Sequence, residues 1–306
     1  MSLSAYVASP FNHAKADAIL RSSDNIDFRV FKLFLSLASP FFETLFDIPQ
    51  PTEESEEQET KDGLPVIPVS EDSKTLNALL RFCYPCTLAG DPGLEELKDV
   101  VNVLEAAKKY SLEAIERKVA QTISSPKILE AEPLRCYAIA HHGGLREEAL
   151  LAAKYTLTQS LIPEWFKEID LLTATDLLAL LTYHKKCAIA LEGLKNYRSW
   201  VTPHYGSMTA FPFMHACSRC PRSHFSSGDS VLQWWGDFWD KIFILLRDKP
   251  CRATIDMSAE EVIRSVRQRN CPNCSPRVAE TMREFVTVFA GKVEKAISQV
   301  ELELGF

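Results

Sequence analysis

The chain has 306 residues, 46% of them apolar and 25% charged, with a formal net charge of −7 from 41 acidic and 34 basic side chains. That length leaves room for two or three domains, and that apolar share excludes a disordered chain. The acid excess belongs to the first two thirds, because residues 201–306 hold 13 Lys/Arg against 12 Asp/Glu, so a chain-wide basic footprint for nucleic acid is absent.

Residues 1–16 predict a mobile arm without a clear strand pattern. They hold no continuous apolar run of the kind a secretory signal needs. Residues 18–21 are short and apolar, Ser23-Asp24-Asn25 is turn chemistry, and residues 26–30 alternate apolar and charged like a half-buried strand. The spacing then turns helical through Leu33, Leu37, Phe41, Phe42, Leu45 and Phe46, with Ser39 as an N-cap and Pro40 at the first helical position between two helices. Residues 49–63 carry five Glu and one Asp against one Lys, and predict a solvated acidic loop. Residues 64–69 predict a strand whose two prolines confine it to an edge or face away from the pairing side. Residues 70–73 offer several caps for a helix with Leu76, Leu79, Leu80 and Cys83 on one side. Residues 94–110 and 111–123, the second capped by Ser111, predict an αα-hairpin. The fold class is α+β, a small sheet covered by helices.

The pattern of residues 133–200 is helical. One helix ends near Gly143-Gly144, another covers residues 145–157, and a long one is capped at residues 173–176. Residues 201–228 form a loop-rich knuckle. Residues 229–247 predict an apolar helix, residues 258–267 a helix capped by Ser258 with Glu261 as its capping-box partner, and residues 275–304 a terminal helix capped by Ser275.

The sharpest chemistry is Cys217-Ser-Arg-Cys220 with Cys271-Pro-Asn-Cys274. Two Cys-x-x-Cys turns supply four thiolates, which fill a tetrahedral zinc site and leave no open position, so the predicted cofactor is a structural Zn²⁺. Arg219, Arg222, Arg269 and Arg277 stand beside the ligands and offset the −2 charge of such a centre. Fifty residues separate Cys220 from Cys271, so the Trp-rich helix between them must bring the two turns together. Four unpartnered thiols are the alternative, with His215 or His224 as substitutes for one ligand. Nine cysteines, an odd number, agree with thiols or metal ligands rather than a closed set of disulfides.

Other groups read as structural. His141 and His142 precede two glycines at a helix end, where both residue types are favoured. His184 with Lys185-Lys186 predicts a solvated face, and the cluster of Trp234, Trp235, Phe238 and Trp239 predicts core. No phosphate-binding loop, metalloprotease or nucleophile-elbow motif occurs, so no enzyme is expected. No window of eighteen apolar residues spans a membrane, and the expected setting is cytoplasm or nucleus.

Residues 17–46, DAILRSSDNIDFRVFKLFLSLASPFFETLF, resemble the opening of a BTB (POZ) domain: a strand hairpin, a helix, Ala-Ser-Pro, two aromatic positions and Leu-Phe. Residues 64–85, LPVIPVSEDSKTLNALLRFCYP, resemble its next strand and helix, in the style of the BTB proteins of mushroom-forming fungi. Phe31 stands where the family usually has His. The resemblance implies a BTB domain over residues 17–124, a helical BACK-like extension over 125–200, and a Cys-rich helical region over 201–306. It implies protein partners, a homodimer through the BTB domain, and recruitment of a cullin ubiquitin ligase scaffold as in some family members. Leu37, Phe41, Phe42, Leu45 and Phe46 lie where family interfaces and core meet. A BTB–zinc regulator binding nucleic acid is the alternative, which the balanced charge of residues 201–306 disfavours.

Overall fold

A computed structural model of the chain describes residues 5–7, 9–48, 59–90, 92–94, 97–160, 162, 164–196, 217–224 and 230–305. The acidic stretch 49–58 and residues 201–216, with His215, lie outside them. The chain divides into two compact units, Met1–Glu148 and Ala149–Phe306.

The first unit is built on a mixed sheet of β1 (Ala5–Tyr6), β2 (Ala18–Arg21), β3 (Ile26–Val30), β4 (Thr60–Lys61) and β5 (Leu64–Pro68), in the order β1-β3-β2-β5-β4. β2 and β3 form the predicted hairpin, with Leu20 opposite Phe28. Its turn needs a left-handed residue, supplied by Asn25 at φ 61°. β5 runs parallel to β2 with Ile19 opposite Val66. Pro65 precedes that ladder and Pro68 is its last position, so neither proline removes an interior bond.

The predicted mobile arm is anchored instead. β1 pairs in parallel with β3, and Phe11 is buried against Phe28 and Tyr84, with ring centroids 5.8 and 5.1 Å away. Asp27 also departs from expectation. The alternation of β3 places it on the outer face, yet its carboxylate is 0% exposed, since it accepts from Arg21 Nε at 2.7 Å and Lys61 Nζ at 2.7 Å. The long stems of these two cations cover it, so a charged position of the strand is buried without joining the apolar core.

Helices cover the other side: α1 (Lys32–Ala38), α2 (Pro40–Asp47), α3 (Ser73–Cys83), α4 (Cys86–Ala89), α5 (Leu97–Lys109), α6 (Glu113–Ile123), α7 (Pro126–Ala131) and α8 (Pro133–His142). Ile19, Leu20, Phe28, Val30, Leu35, Leu76, Leu79, Leu80 and Val100 are fully buried, each contributing roughly 1.5–3 kcal/mol by burial. Asp72 caps α3 by accepting from Thr75 N at 2.8 Å. Ser39 caps α2 by accepting from Phe42 N at 3.2 Å, and its hydroxyl donates to the Tyr110 carbonyl at the end of α5 at 2.5 Å.

Ser111 does not cap α6. It sits at φ 53° and closes α5, with Ser111 N on Lys108 O at 3.1 Å and Leu112 N on Ala107 O at 2.8 Å. This paired closure satisfies two carbonyls that a helix end leaves open, and that demand outweighs the preference of Ser for an N-cap. α8 closes in the same way at Gly144, φ 60°, with Leu145 N on Ala140 O at 2.9 Å, which is the capping expected of His141-His142-Gly-Gly.

In the second unit, α9 (Arg146–Thr156), which begins just before the boundary, leads to a 3₁₀ turn (Lys167–Leu171) and α10 (Ala174–Asn196). Thr173 and Asp176 cap α10 reciprocally: Asp176 N donates to Thr173 Oγ1 at 3.2 Å and Thr173 N to Asp176 Oδ2 at 3.0 Å. A hairpin of β6 (Arg222–His224) and β7 (Ser230–Leu232) precedes α11 (Gln233–Asp248), α12 (Arg252–Gln268) and α13 (Val278–Ser298). The aromatic cluster is core, as the helical spacing predicts: Trp235 stacks on Trp239 at 5.3 Å, and both meet Phe285 of α13.

Two helix starts differ from the sequence reading. α12 begins at Arg252, six residues before Ser258, because Ile255, Ala259 and Ile263 continue its buried stripe. Ser258 is buried inside the helix, and Glu261 pairs with Lys241 at 2.8 Å. α13 begins at Val278 rather than near Ser275, whose hydroxyl instead donates to Val266 O at 3.1 Å, a carbonyl in the last turn of α12. His184 is buried rather than solvated. Its Nε2 lies 3.3 Å from the Gln159 carbonyl and its Nδ1 has no partner among the described residues.

Two predictions follow from these contacts. Ser39→Ala removes a cap and the link to α5 together, so guanidinium unfolding of the full chain should show a loss of about 1–2 kcal/mol, with Ser39→Thr retaining most of it. Burial holds the His184 imidazole below its ordinary value of 6.5, so the folded state favours the neutral ring. That contribution is complete above pH 6.5 and is lost as the pH falls below it. The melting temperature should therefore drop between pH 7 and pH 5 by more in the native chain than in His184→Gln. Equal drops would remove His184 as the cause.

Candidate metal centre and docking face

Cys217 and Cys220 lie in the turn before β6; Cys271 and Cys274 lie in the turn between α12 and α13. The folding of α11 against α13 brings the two turns together. Cys217 Sγ is 3.5 Å from Cys271 Sγ, Cys220 Sγ is 3.7 Å from Cys274 Sγ, and all four sulfurs lie within 4.8 Å of one another. None is in a disulfide, for which sulfurs stand about 2.05 Å apart. A zinc ion with 2.3 Å bonds to four sulfurs sets them about 3.8 Å apart, and the observed spacings bracket that edge. The four predicted ligands thus form one cluster whose donor set and size suit a tetrahedral metal. Exposed His224, in β6, is not part of it.

The turns also prepare the sulfurs. Burial pushes the Cys217 thiol up, but backbone N–H groups of Arg219 and Cys220, with hydrogen bonds from Cys271 and Cys274, bring it down to about 6. The amides two and three residues past the first cysteine therefore favour a thiolate there. Burial and the neighbouring sulfurs push Cys220 up to about 11 and raise Cys274. The Asn273 side-chain amide donates to Cys217 Sγ at 3.8 Å. Asn270, at φ 51°, ends α12 and turns the chain into the second cysteine pair.

Two supporting residues have no sequence signal of their own. Ser275, already described, ties the second turn back onto α12. Gly236 lies where α11 passes the β6–β7 hairpin, and a Cβ there would stand 2.5 Å from Ser223 Oγ. Its lack of a side chain lets the hairpin that follows Cys220 settle on the helix.

The five residues of the predicted docking face divide. Phe42 is buried and stacks on Tyr110 at 4.9 Å, while Leu45 and Phe46 are half-buried. Leu37 is 77% and Phe41 40% exposed, and Leu33 and Ile48 on the same two helices are 64% and 55% exposed. Phe31, at the family's usual His position, donates its backbone N–H to Tyr84 Oη at 2.9 Å and packs against His13 and Phe34. The adjacent acids Glu147 and Glu148 on α9 are exposed and half-buried respectively. Among the described residues no helix is long and apolar enough to cross a membrane.

The family model of the BTB/POZ domain matches residues 9–127. The match begins before Asp17, in keeping with Phe11 in the core. Residues 9–127 thus have the fold of a BTB/POZ domain, a family of protein–protein interaction modules. A search of curated proteins finds no match to the chain.

The cluster geometry makes a direct metal assay decisive. Protein purified without chelator should carry about one metal ion per chain, and Cys217→Ser or Cys271→Ser should abolish it. Chelation should lower the melting temperature of the native chain and leave those variants unmoved. Native protein free of metal would remove the centre.

Proposed function

We propose that this protein is a non-catalytic docking protein whose BTB/POZ domain self-associates and whose C-terminal region is held closed by a structural zinc ion. The observation that carries the docking reading is the apolar face of α1 and α2. Leu33, Leu37, Phe41 and Ile48 face water side by side with the buried anchors Leu35 and Phe42. A rigid, exposed apolar strip backed by core is the form of an interface rather than of a solvated surface. In this reading Leu37 and Phe41 make the contacts, while Phe42, Leu45 and Phe46 hold the two helices in place.

We assign residues 17–124 to the docking domain, 125–200 to a BACK-like helical extension and 201–306 to the metal-closed region. Recruitment of a cullin scaffold, with the rest of the chain holding a substrate, extends the proposal. The zinc reading rests on four sulfurs at tetrahedral spacing with amides aimed at the first of them. Zinc there would act as a cross-link between distant turns, with no coordination position left for a substrate.

Light scattering of the purified chain at about ten micromolar should give a dimer, and Leu37→Glu with Phe41→Glu should give a monomer of unchanged circular dichroism. A native monomer at that concentration ends the self-association proposal. Co-purification from cells tests the adaptor extension separately: a preparation of the native chain that retains no cullin removes it and leaves the dimer standing.

A further inference from the structure

The four sulfurs of the cluster are not equivalent. Cys217, Cys271 and Cys274 are buried, whereas Cys220 is half-buried. Each turn gives one cysteine to a partner in the other turn. Cys217 meets Cys271 at 3.5 Å, and Cys220 meets Cys274 at 3.7 Å. The first pair is buried on both sides, and the second contains the one cysteine of the cluster that solvent reaches.

We propose that Cys220 and Cys274 are a peroxide-sensitive pair, which oxidation converts from two metal ligands into one disulfide between the turns. The proposal rests on the metal reading above, because a metal-bound sulfur is held as the thiolate, the form that reacts. Cys220 takes the first step by its exposure. Its thiolate attacks one oxygen of hydrogen peroxide: the O–O bond breaks, an S–O bond forms and hydroxide leaves, giving a sulfenic acid. The Cys274 thiolate then attacks that sulfur. The S–O bond breaks, the S–S bond forms and a second hydroxide leaves. The two sulfurs lose two electrons in all, and one peroxide takes them.

The geometry decides the product. A second sulfur 3.7 Å away captures the sulfenic acid before further peroxide can carry it up the oxidation ladder. To reach the disulfide length of about 2.05 Å the pair must close by roughly 1.7 Å. Cys217 and Cys271 alone are too few to fill a tetrahedral site, so the hold on the ion is lost. The turns nevertheless stay joined, because the new bond links residues 54 apart and closes the long loop that the metal had closed. Oxidation in this way changes metal occupancy without opening the unit.

The test uses the full chain once its metal content is known. Hydrogen peroxide is added at one equivalent, metal release is followed with a coloured zinc chelator, and free thiols are blocked with iodoacetamide. Unreduced tryptic peptides are then weighed. Cleavage at Arg219, Arg222, Arg269 and Arg277 puts Cys217 and Cys220 on separate peptides and Cys271 with Cys274 on one. The expected product joins residues 220–222 to residues 270–277, with fragmentation placing the bond on Cys274. Metal should leave at least about ten-fold faster than in buffer alone. The melting temperature should fall less than it does on chelation, and dithiothreitol with zinc should restore the starting state. Cys86, exposed and outside the cluster, reports by its own oxidation that the peroxide was active. A bond inside residues 270–277, or metal retained while Cys86 is oxidised, overturns the proposal and leaves the metal reading intact. Protein that carries no metal as purified fails that reading and this proposal with it.

Discussion

The C-terminal unit brings four sulfurs together across a gap of fifty residues. Neither cysteine turn has an apolar core of its own. The first is carried by a short hairpin, the second by the junction of α12 and α13, and both are positioned by helices that pack through Trp235, Trp239, Phe285 and Phe289. The aromatic core sets the turns side by side, and a metal would then lock what packing has brought near. The dependence runs both ways, because the closing of a long loop is entropically costly without a cross-link and becomes a property of the folded state with one.

The N-terminal unit solves a different problem. Its sheet is narrow, with two-residue strands at both edges, and α1 and α2 leave Leu33, Leu37, Phe41 and Ile48 exposed. Rigidity therefore comes from polar ties between elements distant in sequence. Ser39 joins α2 to the end of α5, Tyr84 receives the N–H of Phe31, and Asp27 gathers Arg21 and Lys61. Exposed Leu37 and Phe41 ride on helices fixed in this way. Were this face to dock a partner, as proposed, it would lose little side-chain and backbone freedom.

Much of this was legible in the residues. Ser39-Pro40 and the glycine pair after His142 each carry local chemistry with one dominant use, and each took it; of the several caps offered by residues 70–73 Asp72 serves, and the two Cys-x-x-Cys turns meet as one cluster. The failures share a cause. Ser111, Ser258 and Ser275 are good N-caps in isolation, but a neighbouring helix end or a continuing apolar stripe made the stronger demand. Asp27 and His184 look solvated in a period count, yet side chains from other elements cover them. Phe11 had no periodic neighbours to mark it as core.

The order of the aromatic core along the chain also matters at the ribosome. Trp235 and Trp239 leave it well before Phe285 and Phe289, the rings that cover them, and Cys220 leaves before Cys271 and Cys274. At about 5–20 residues per second the Trp face of α11 waits several seconds for its cover. During that interval a helix with four large aromatic groups on one side is exposed in a nascent chain that cannot yet assemble four sulfurs. Residues 9–127, which carry the BTB/POZ fold, leave before any of these rings and do not share that wait.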